Sequence, residues 1–408
     1  MIREEFTRQF DWFLLIILIL LLAFGEISIY SASIQKTGEK VILSDYYLKQ
    51  LIWIFVGIAI FIFVLYIPEV IIDIFVVPFY IGAIFLLLLV LFLPGVKGVH
   101  RWINFGGFGL QPSELAKIAS VLLIAKIISK RYLQKWKIVV FSFLVILPPI
   151  LLILWEPDLG SALIFIIFYF PMIYFAGIPL VTIILIFSPI ISIIVGFSLT
   201  LWVIFDVILL IVLLLRRLSL TLSGVIFAGN FFLSFITPYF WNNLKVYQQK
   251  RILTFIEPTR DVMGSGYQTI QSKIAIGSGG IFGKGLLQGT QKNLAFLPEQ
   301  HTDFIFSVIG EELGFLGCTL LIILFILLVW RVICILRKIQ NTRKRITIVG
   351  ILSFIVCQIV INIGMNIGIF PVVGIPLPFI SYGGSNLLVN MVAMGIIVKF
   401  AAVKSFIE

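Results

Sequence analysis

The stretch WFLLIILILLLAFGEISIY, residues 12–30, decides the fold class of this chain. A helix needs about 20 apolar residues to cross the hydrocarbon core of a bilayer, and this run has that length. It is longer than the roughly 7–15-residue core of a signal peptide, and Glu4 and Glu5 interrupt the basic leader that such a peptide carries. We therefore expect a first membrane span that is retained.

The rest of the chain has the same character. The 408 residues are 61% hydrophobic, with a mean hydropathy of +1.17, whereas a soluble domain is roughly 45–50% apolar. Apolar runs recur from residue 11 to residue 403. They lack the two-residue alternation of barrel strands, and backbone groups in lipid must find their hydrogen-bond partners inside the protein, which leaves helices. We predict an all-α integral membrane protein, a polytopic bundle of about 10 to 12 transmembrane helices forming one membrane domain over residues 1–408.

The positions of the charges argue against a nucleic-acid partner, although the net charge is +11 at pH 7. Lys and Arg collect between apolar runs, at residues 130–137, 216–217 and 331–345, which is typical of cytoplasmic loops. Both termini are then cytoplasmic. Spans are expected near residues 11–32, 49–66, 69–93, 113–129, 138–155, 159–176, 180–198, 200–215, 219–240, 303–330, 346–368 and 382–402. If residues 180–215 form a re-entrant pair instead, about ten spans remain.

Residues 241–301 form a large external loop in this topology. A loop longer than about 15 residues is usually functional or disordered, and this one contains too many apolar residues for a free linker. Its glycine-rich part, GSGGIFGKG at residues 277–285, fails the phosphate-loop pattern, because Ser278 stands where a glycine is needed and Gly285 follows Lys284. An anion-binding backbone nest is still compatible with it.

Three aspartates are candidates for chemistry. Asp261 lies just before a Gly-Ser-Gly turn at the predicted membrane surface, as either a general base toward a hydroxyl or an Asx-turn residue. Asp303 shares one helix face with Ser307 and Glu311, and either lines a cavity or marks the helix start. Asp158 is most simply a helix cap. We expect no metal site from the histidines and cysteines, which lack ligand spacing.

Polar residues also recur inside predicted spans. Glu114 and Lys117 have ion-pair spacing and form either a structural pair or a polar wall for an anionic head group. Side-chain amides recur every four residues at Gln358, Asn362 and Asn366, as interhelical contacts often do. The following FPVVGIPLPFISYGGSN, residues 370–386, contains helix breakers that suggest a re-entrant turn lining an aqueous pocket.

Five motifs together resemble those of the SEDS (shape, elongation, division and sporulation) family of bacterial cell-wall polymerases. They are HRWINFGGFGLQPSELAK, EPDLGSA, GSGYQTIQSKIAIGSGGIFGKGLLQGTQ, FLPEQHTDFIFSVIGEELG and GIPLPFISYGGS. QSKIAIGSGG with GKGLLQGTQ resembles the elongation-type RodA branch more than the division-type FtsW branch. The resemblance implies a multi-pass protein of the bacterial cytoplasmic membrane, usually with ten spans, that polymerises lipid II, an undecaprenyl-diphosphate-linked disaccharide pentapeptide, on the outer face.

The resemblance also implies residue roles. The family's essential aspartate falls on Asp261, which would take the proton from the acceptor sugar's 4-hydroxyl; the usual Asp-Pro is Asp261-Val262 here. Positive charge for the departing diphosphate would come from Arg101, Lys117, Lys273 and Lys284. The substrate cavity would also include Trp102, Glu114, Asp158, Asp303 and Ser385, with the lipid tail in a groove near the Glu114 and Asp158 motifs. A divalent cation, Mg²⁺ or Mn²⁺, could bridge Asp261 and the diphosphate.

The expected partners are lipid II, a class B penicillin-binding protein transpeptidase and other membrane proteins of the elongation complex. Two other functions stay open. A lipid II flippase would also use polar stripes within a bundle, but it needs a pathway open to both faces, whereas catalysis needs a one-sided pocket and a base. A non-catalytic scaffold for cell-wall enzymes is the third interpretation.

Overall fold

A computed structural model describes residues 11–37, 40–93, 101–105, 108–130, 134–216, 220–243, 249, 265–290 and 299–402. These residues form thirteen helices and two antiparallel hairpins. The helices are α1 (Trp12–Ser33), α2 (Tyr46–Tyr66), α3 (Glu69–Phe92), α4 (Pro112–Ile128), α5 (Lys135–Trp155), α6 (Leu159–Phe175), α7 (Leu180–Val195), α8 (Leu199–Leu215), α9 (Leu220–Asn243), α10 (Ser265–Ser278), α11 (Ile305–Lys338), α12 (Thr342–Asn366) and α13 (Gly384–Ala402). The hairpins pair β1 (Ile34–Thr37) with β2 (Lys40–Leu43) and β3 (Ile103–Phe105) with β4 (Phe108–Leu110).

The helices confirm an all-α multi-pass membrane protein. Within the described residues, eight helices are long and apolar enough to cross a bilayer: α1, α2, α3, α5, α9, α11, α12 and α13. The apolar helices α6, α7 and α8 are shorter, and α4 carries the charged pair Glu114 and Lys117. A helix lies at each of the twelve predicted spans. Residues 180–215 form two helices, α7 and α8, of 16 and 17 residues, so both the twelve-span and the re-entrant alternatives stay open.

The chain divides into two compact units, residues 1–175 with 262–408 (unit 1) and residues 176–261 (unit 2). The single membrane domain over residues 1–408 stays a prediction. In unit 2, α7 packs on α9 around a polar seam, in which Ser192 donates to Asn230 Oδ1 at 2.5 Å and Ser234 donates to the Ser192 carbonyl at 3.0 Å. Such hydrogen bonds hold helices together in lipid, where the hydrophobic effect does not.

Unit 1 is a helix bundle whose interior helices are α4, α12 and α13. Small residues let these helices approach one another: Gly350 on α12 lies against Val121 of α4 and Met172 of α6. Gly395 on α13 lies against Val64 of α2. Close packing of this kind replaces hydrophobic driving force inside a membrane. Glu114 and Lys117 of α4 are therefore enclosed by protein.

Ion pairs join helix ends at one end of unit 1, here called the basic end. Arg331 on α11 pairs with Asp11 at the start of α1, at 2.8 Å. Lys126 on α4 and Arg343 on α12 both pair with Asp73 on α3, at 2.9 and 2.8 Å. The opposite end, here called the site end, carries the β3–β4 hairpin and the turns at residues 156–158, 299–304 and 367–383.

The structure departs from sequence expectation within residues 241–301. This segment was predicted as a loop, but α9 extends to Asn243 and α10 occupies residues 265–278. The physical reason is a buried face: Thr269, Ser272 and Ala275 recur every three residues, and Ala275 packs with Phe304. These small and polar residues give a weak hydrophobic signal, so the hydropathy pattern does not indicate a helix here.

Candidate active site

Asp261 lies outside the described residues, so its predicted role stays a prediction. Helix α10 begins four residues later, at Ser265, and what holds α10 is visible. Ser272, in the middle of α10, is fully buried and donates to the Asn366 carbonyl at 2.6 Å. It also lies 2.5 Å from the Ser307 hydroxyl, and Ser307 donates to Asn366 Oδ1 at 2.5 Å. These bonds fix α10 to α11 and α12.

The glycine-rich segment after α10 binds protein backbone. Helix α11 is broken at Gly314, which has φ 66° and ψ −161°. Residues 279–285 fill the break, and we call this arrangement the glycine clasp. Lys284 and Gly285 donate their N–H groups to the carbonyls of Glu311 and Glu312, each at 3.0 Å. In return, α11 residues 315 and 316 donate to the carbonyls of residues 280 and 281, at 2.9 and 3.1 Å.

These contacts argue against an anion nest formed by residues 283–285. A nest needs free backbone N–H groups, but those of Gly283, Lys284 and Gly285 are all bonded to carbonyls. The glycines serve close approach of two backbones. A Cβ at Gly283 would lie 2.7 Å from the Gly314 nitrogen, and one at Gly279 would collide with the Gly310 carbonyl.

Two neighbouring carboxylates of α11, Glu311 and Glu312, contact the segment that follows α10. Because they are adjacent in the helix, each has its own partners. Glu311 is buried, and its Oε1 accepts from Lys284 Nζ at 2.8 Å, from Thr290 N at 2.7 Å and from Thr290 Oγ1 at 2.9 Å. Glu312 is also buried; it accepts from Gly289 N at 3.4 Å and from the Ser31 hydroxyl of α1. Lys284, predicted as a diphosphate contact, is therefore paired with a carboxylate.

Asp303 lies just before α11, at the site end. Its carbonyl accepts from Asn362 Nδ2 at 3.0 Å and from Asn366 Nδ2 at 2.9 Å, so two of the three predicted amides hold this turn. Its carboxylate lies 3.5 Å from where a Cβ would stand at Gly374. The pKa of Asp303 is raised to about 7, first by burial and then by the nearby carboxylates Glu299 and Asp158, while Arg101 acts in the opposite direction.

Arg101 holds the turn at residues 156–158. Its guanidinium donates to the carbonyls of Glu156, at 3.3 Å, and Pro157, and it lies 3.9 Å from Asp158 Oδ2. Asp158 caps α6 by accepting from Ser161 N at 3.2 Å and Ser161 Oγ at 2.8 Å, as its position before a helix predicts. The neighbouring Trp102 is exposed and packs over Gly109.

Glu156 is a residue that the sequence did not single out. Its side chain is 1% exposed, and neither carboxylate oxygen has a partner among the described residues. The pKa of Glu156 is raised to about 8, first by burial and then by the charge of Asp158, while Arg101 lowers it. The site end thus brings Arg101, Glu156, Asp158 and Asp303 into electrostatic contact.

The Glu114–Lys117 ion pair predicted from spacing is present inside the bundle. The two charged atoms lie 2.7 Å apart, and both side chains are buried. Glu114 Oε2 also accepts from Asn386 at 3.1 Å, and Asn386 accepts from Asn390 at 2.9 Å. A polar wall therefore extends from α4 to α13. The two asparagines were not in the set predicted from sequence, because their role depends on the register between these helices.

The remaining predicted residues differ in exposure. Ser385 joins α13 to the β3–β4 hairpin, donating to the Gly109 carbonyl at 2.7 Å and accepting from Gln111 N at 3.1 Å. Lys273 is exposed on α10 and crosses Gly368, where the missing side chain leaves it room. Across the described residues, no group of three or more His, Cys, Asp or Glu could hold a metal ion. The divalent cation stays a prediction.

An apolar groove of ≈380 Å³ runs between α6 and α12. It is lined by Leu163, Ile167 and Pro171 of α6, by Val356, Val360 and other residues of α12, and by Pro371 and Val373 of the site-end turn. Val373 is the neighbour of Gly374, which faces the Asp303 carboxylate. The groove therefore adjoins the charged residues of the site end.

Comparison with known proteins identifies the family of this chain. Residues 11–204 and 187–405 match the family model FTSW_RODA_SPOVE, described as cell cycle protein. The chain belongs to this family. Family membership confirms the resemblance found in the five motifs. The two matches overlap over residues 187–204, in α7 and α8.

Members of the FtsW/RodA/SpoVE family match over nearly the whole chain. The peptidoglycan glycosyltransferase MrdB of Escherichia coli (strain K12) is 35% identical over 388 residues, 95% of this chain and 92% of its own. A probable peptidoglycan glycosyltransferase FtsW of Trichlorobacter lovleyi is 36% identical, with coverages of 98% and 96%. Because identities to RodA-type and FtsW-type relatives are so similar, they do not separate the two branches.

Solved structures of the family have the same fold. A chain of a peptidoglycan synthase complex that coordinates polymerization and crosslinking matches with a TM-score of 0.70 at 28% identity, covering 96% of this chain and 97% of that chain. RodA of Thermus thermophilus matches with a TM-score of 0.62 at 23% identity, covering 96% of each chain, which supports the fold alone.

Proposed function

We propose that this chain is a peptidoglycan glycosyltransferase that polymerises lipid II on the outer face of the bacterial cytoplasmic membrane during cell elongation. The observation that carries the proposal is the apolar groove beside the charged site end. A lipid-linked sugar diphosphate has an apolar tail and an anionic head, and the two surfaces meet at Val373 and Gly374. The names of the relatives support the same activity.

In the proposed reaction, Asp261 takes the proton from the acceptor sugar's 4-hydroxyl while that oxygen attacks the anomeric carbon of the donor. The bond from this carbon to the diphosphate oxygen breaks, and the undecaprenyl diphosphate leaves with the bonding electrons. Arg101 and Lys273 supply positive charge for the leaving group, whereas the charge of Lys117, predicted for the same role, is paired with Glu114 at 2.7 Å. Trp102, Glu114, Asp158, Asp303 and Ser385 line the cavity in this proposal, and the prenyl tail occupies the α6–α12 groove.

The test is glycan synthesis by the purified Asp261→Asn variant mixed with lipid II and a partner transpeptidase. We expect loss of polymer with lipid II binding intact, because the amide fills the same space but cannot accept a proton. Asp45→Asn is the matched control, since Asp45 is an exposed carboxylate before α2 without a side-chain cap bond. Wild-type polymer synthesis by Asp261→Asn would contradict the role of Asp261.

A lipid II flippase is the second candidate, favoured by the polar wall of Glu114, Lys117 and Asn386 inside the bundle. Reconstituted vesicles separate the two functions. The flippase would be supported if the wild type moved labelled lipid II across the membrane without making glycan. The Asp261→Asn variant should then move it equally well. A scaffold would show neither activity.

We further propose a class B penicillin-binding protein and other elongation-complex membrane proteins as partners. The synthase complex that this chain resembles in structure supports such an assembly. The basic end would face the cytoplasm, because positively charged loops stay on that side.

A further inference from the structure

We propose that Glu311 and Lys284 are positioning residues, whose ion pair closes the glycine clasp and thereby fixes α10, the helix that begins four residues after Asp261 in the sequence, for the glycosyl transfer. This inference rests on the proposed function. It gives Lys284 a role that acts through Glu311, in place of a direct contact to the diphosphate.

Helix α10 depends on its anchors. It has 14 residues, and isolated helices shorter than about 12–15 residues are marginal in water even with favourable sequences. Its first residue follows Asp261 by four positions, and its last residue, Ser278, leads directly into the clasp. Ser272 holds the middle of α10 and the clasp holds its end. The clasp therefore limits how α10 can move.

The ion pair is what keeps the clasp closed. The Glu311 side chain is 1% exposed, and a buried carboxylate is costly unless it is paired and hydrogen-bonded. Three donors from residues 284–290 converge on its Oε1, and the Lys284 ammonium also donates to Thr290 Oγ1 at 2.8 Å. Residues 284–290 must stay folded over α11 to satisfy this carboxylate.

The same geometry makes Lys284 a poor diphosphate ligand. Its charge lies 2.8 Å from an opposite charge, and two of its three protons are directed to Glu311 and Thr290. An approaching diphosphate would meet a nearly neutral pair. Lys273 is exposed on α10 and stays the better donor.

The experiment compares four variants of the purified full chain, Lys284→Met, Lys284→Arg, Glu311→Gln and the Lys284→Met/Glu311→Gln double variant. Glycan synthesis from lipid II gives kcat and KM, and hydrogen–deuterium exchange reports on residues 265–278. Lys344→Met is the matched control, because the Lys344–Glu69 pair has the same 2.8 Å separation but lies at the basic end.

We expect kcat of Lys284→Met to fall about tenfold to a hundredfold, since small misplacements of reacting groups have effects of this size. KM should stay within about twofold, exchange of α10 should rise, and Lys284→Arg should recover most of the activity. The double variant should be no worse than Lys284→Met, because the two residues act as a unit. Lys344→Met should match the wild type.

Other outcomes would overturn the inference. A raised KM at unchanged kcat, or additive losses in the double variant, would make Lys284 a direct substrate contact. Wild-type kcat in Lys284→Met would remove its role altogether. Asp261→Asn in the same assay separates the two proposals. If it is inactive, either of these results for the Lys284 variants refutes the positioning role alone. If the wild-type chain makes no glycan, the proposed function itself is refuted.

Discussion

Replacing Gly283 by alanine should open the glycine clasp. Gly283 has φ 80°, a left-handed conformation that costs an L-residue with a Cβ roughly 1–2 kcal/mol. The added methyl group would collide with the Glu312 carbonyl and lie 2.7 Å from the Gly314 nitrogen. The clasp can relieve this clash only by separating the two backbones, which breaks the hydrogen bonds of Lys284 and Gly285 to α11.

The magnitude follows from these contacts. Each of the two lost backbone bonds contributes about 0.5–1.5 kcal/mol, so with the conformational strain Gly283→Ala should destabilise the protein by about 2–5 kcal/mol. Gly277→Ala is the matched control. Gly277 lies inside α10, and a Cβ there would meet nothing within 4 Å. Alanine is the better helix former, so this change should stabilise by up to about 1 kcal/mol.

The assay is equilibrium unfolding of the two variants and the wild type in detergent micelles, with glycan synthesis measured in parallel. We expect the free energy of unfolding to fall in Gly283→Ala and to rise in Gly277→Ala, although the two positions are only six residues apart. Equal stability of Gly283→Ala and Gly277→Ala would refute the reasoning, because it would mean that residues 279–285 do not lie against α11.

Two further predictions concern buried charges. Lys117→Met should lower the free energy of unfolding by about 3–5 kcal/mol, because it leaves the Glu114 carboxylate buried without its ammonium partner. The Lys117→Met/Glu114→Met double variant should lose less stability than Lys117→Met. A double-mutant cycle measured by chemical denaturation checks both expectations. Burial raises the pKa of Glu156 from 4.5 to about 8, so the folded state binds this proton more tightly than the unfolded state does, and stability should fall as pH rises from about 5 to 8. Glu156→Gln should remove that part of the slope, and an unchanged slope would contradict it.

The membrane spans could be predicted because their signal is local. Run length and the positions of Lys and Arg suffice to place helices at every expected span, including the α7–α8 pair. The Glu114–Lys117 pair and the Asp158 cap were also predictable, since i, i+3 neighbours and first-turn residues interact within one helix.

What the sequence could not provide depends on contacts between distant segments. The carboxylate of Glu312 meets Ser31, which is 281 residues away, and Glu156 has no local feature that shows its burial. Helix α10 was missed because its buried face is made of Thr269, Ser272 and Ala275, which hydropathy hardly distinguishes from loop residues. Its stability comes from α11 and α12, so only the tertiary structure reveals it.

The glycine-rich segment shows why such motifs are ambiguous in sequence. Absence of a Cβ permits close approach of any group, whether a phosphate or another backbone. The deciding property is whether the backbone N–H groups are free, and here Lys284 and Gly285 donate to carbonyls that the break at Gly314 leaves exposed. A helix break leaves carbonyls and N–H groups that need partners. Residues 279–285 supply those partners at the break at Gly314, so the glycines of both segments are needed for the same contact. The N–H groups of Gly283, Lys284 and Gly285 are thus already bonded to carbonyl oxygens and are not available to an anionic ligand.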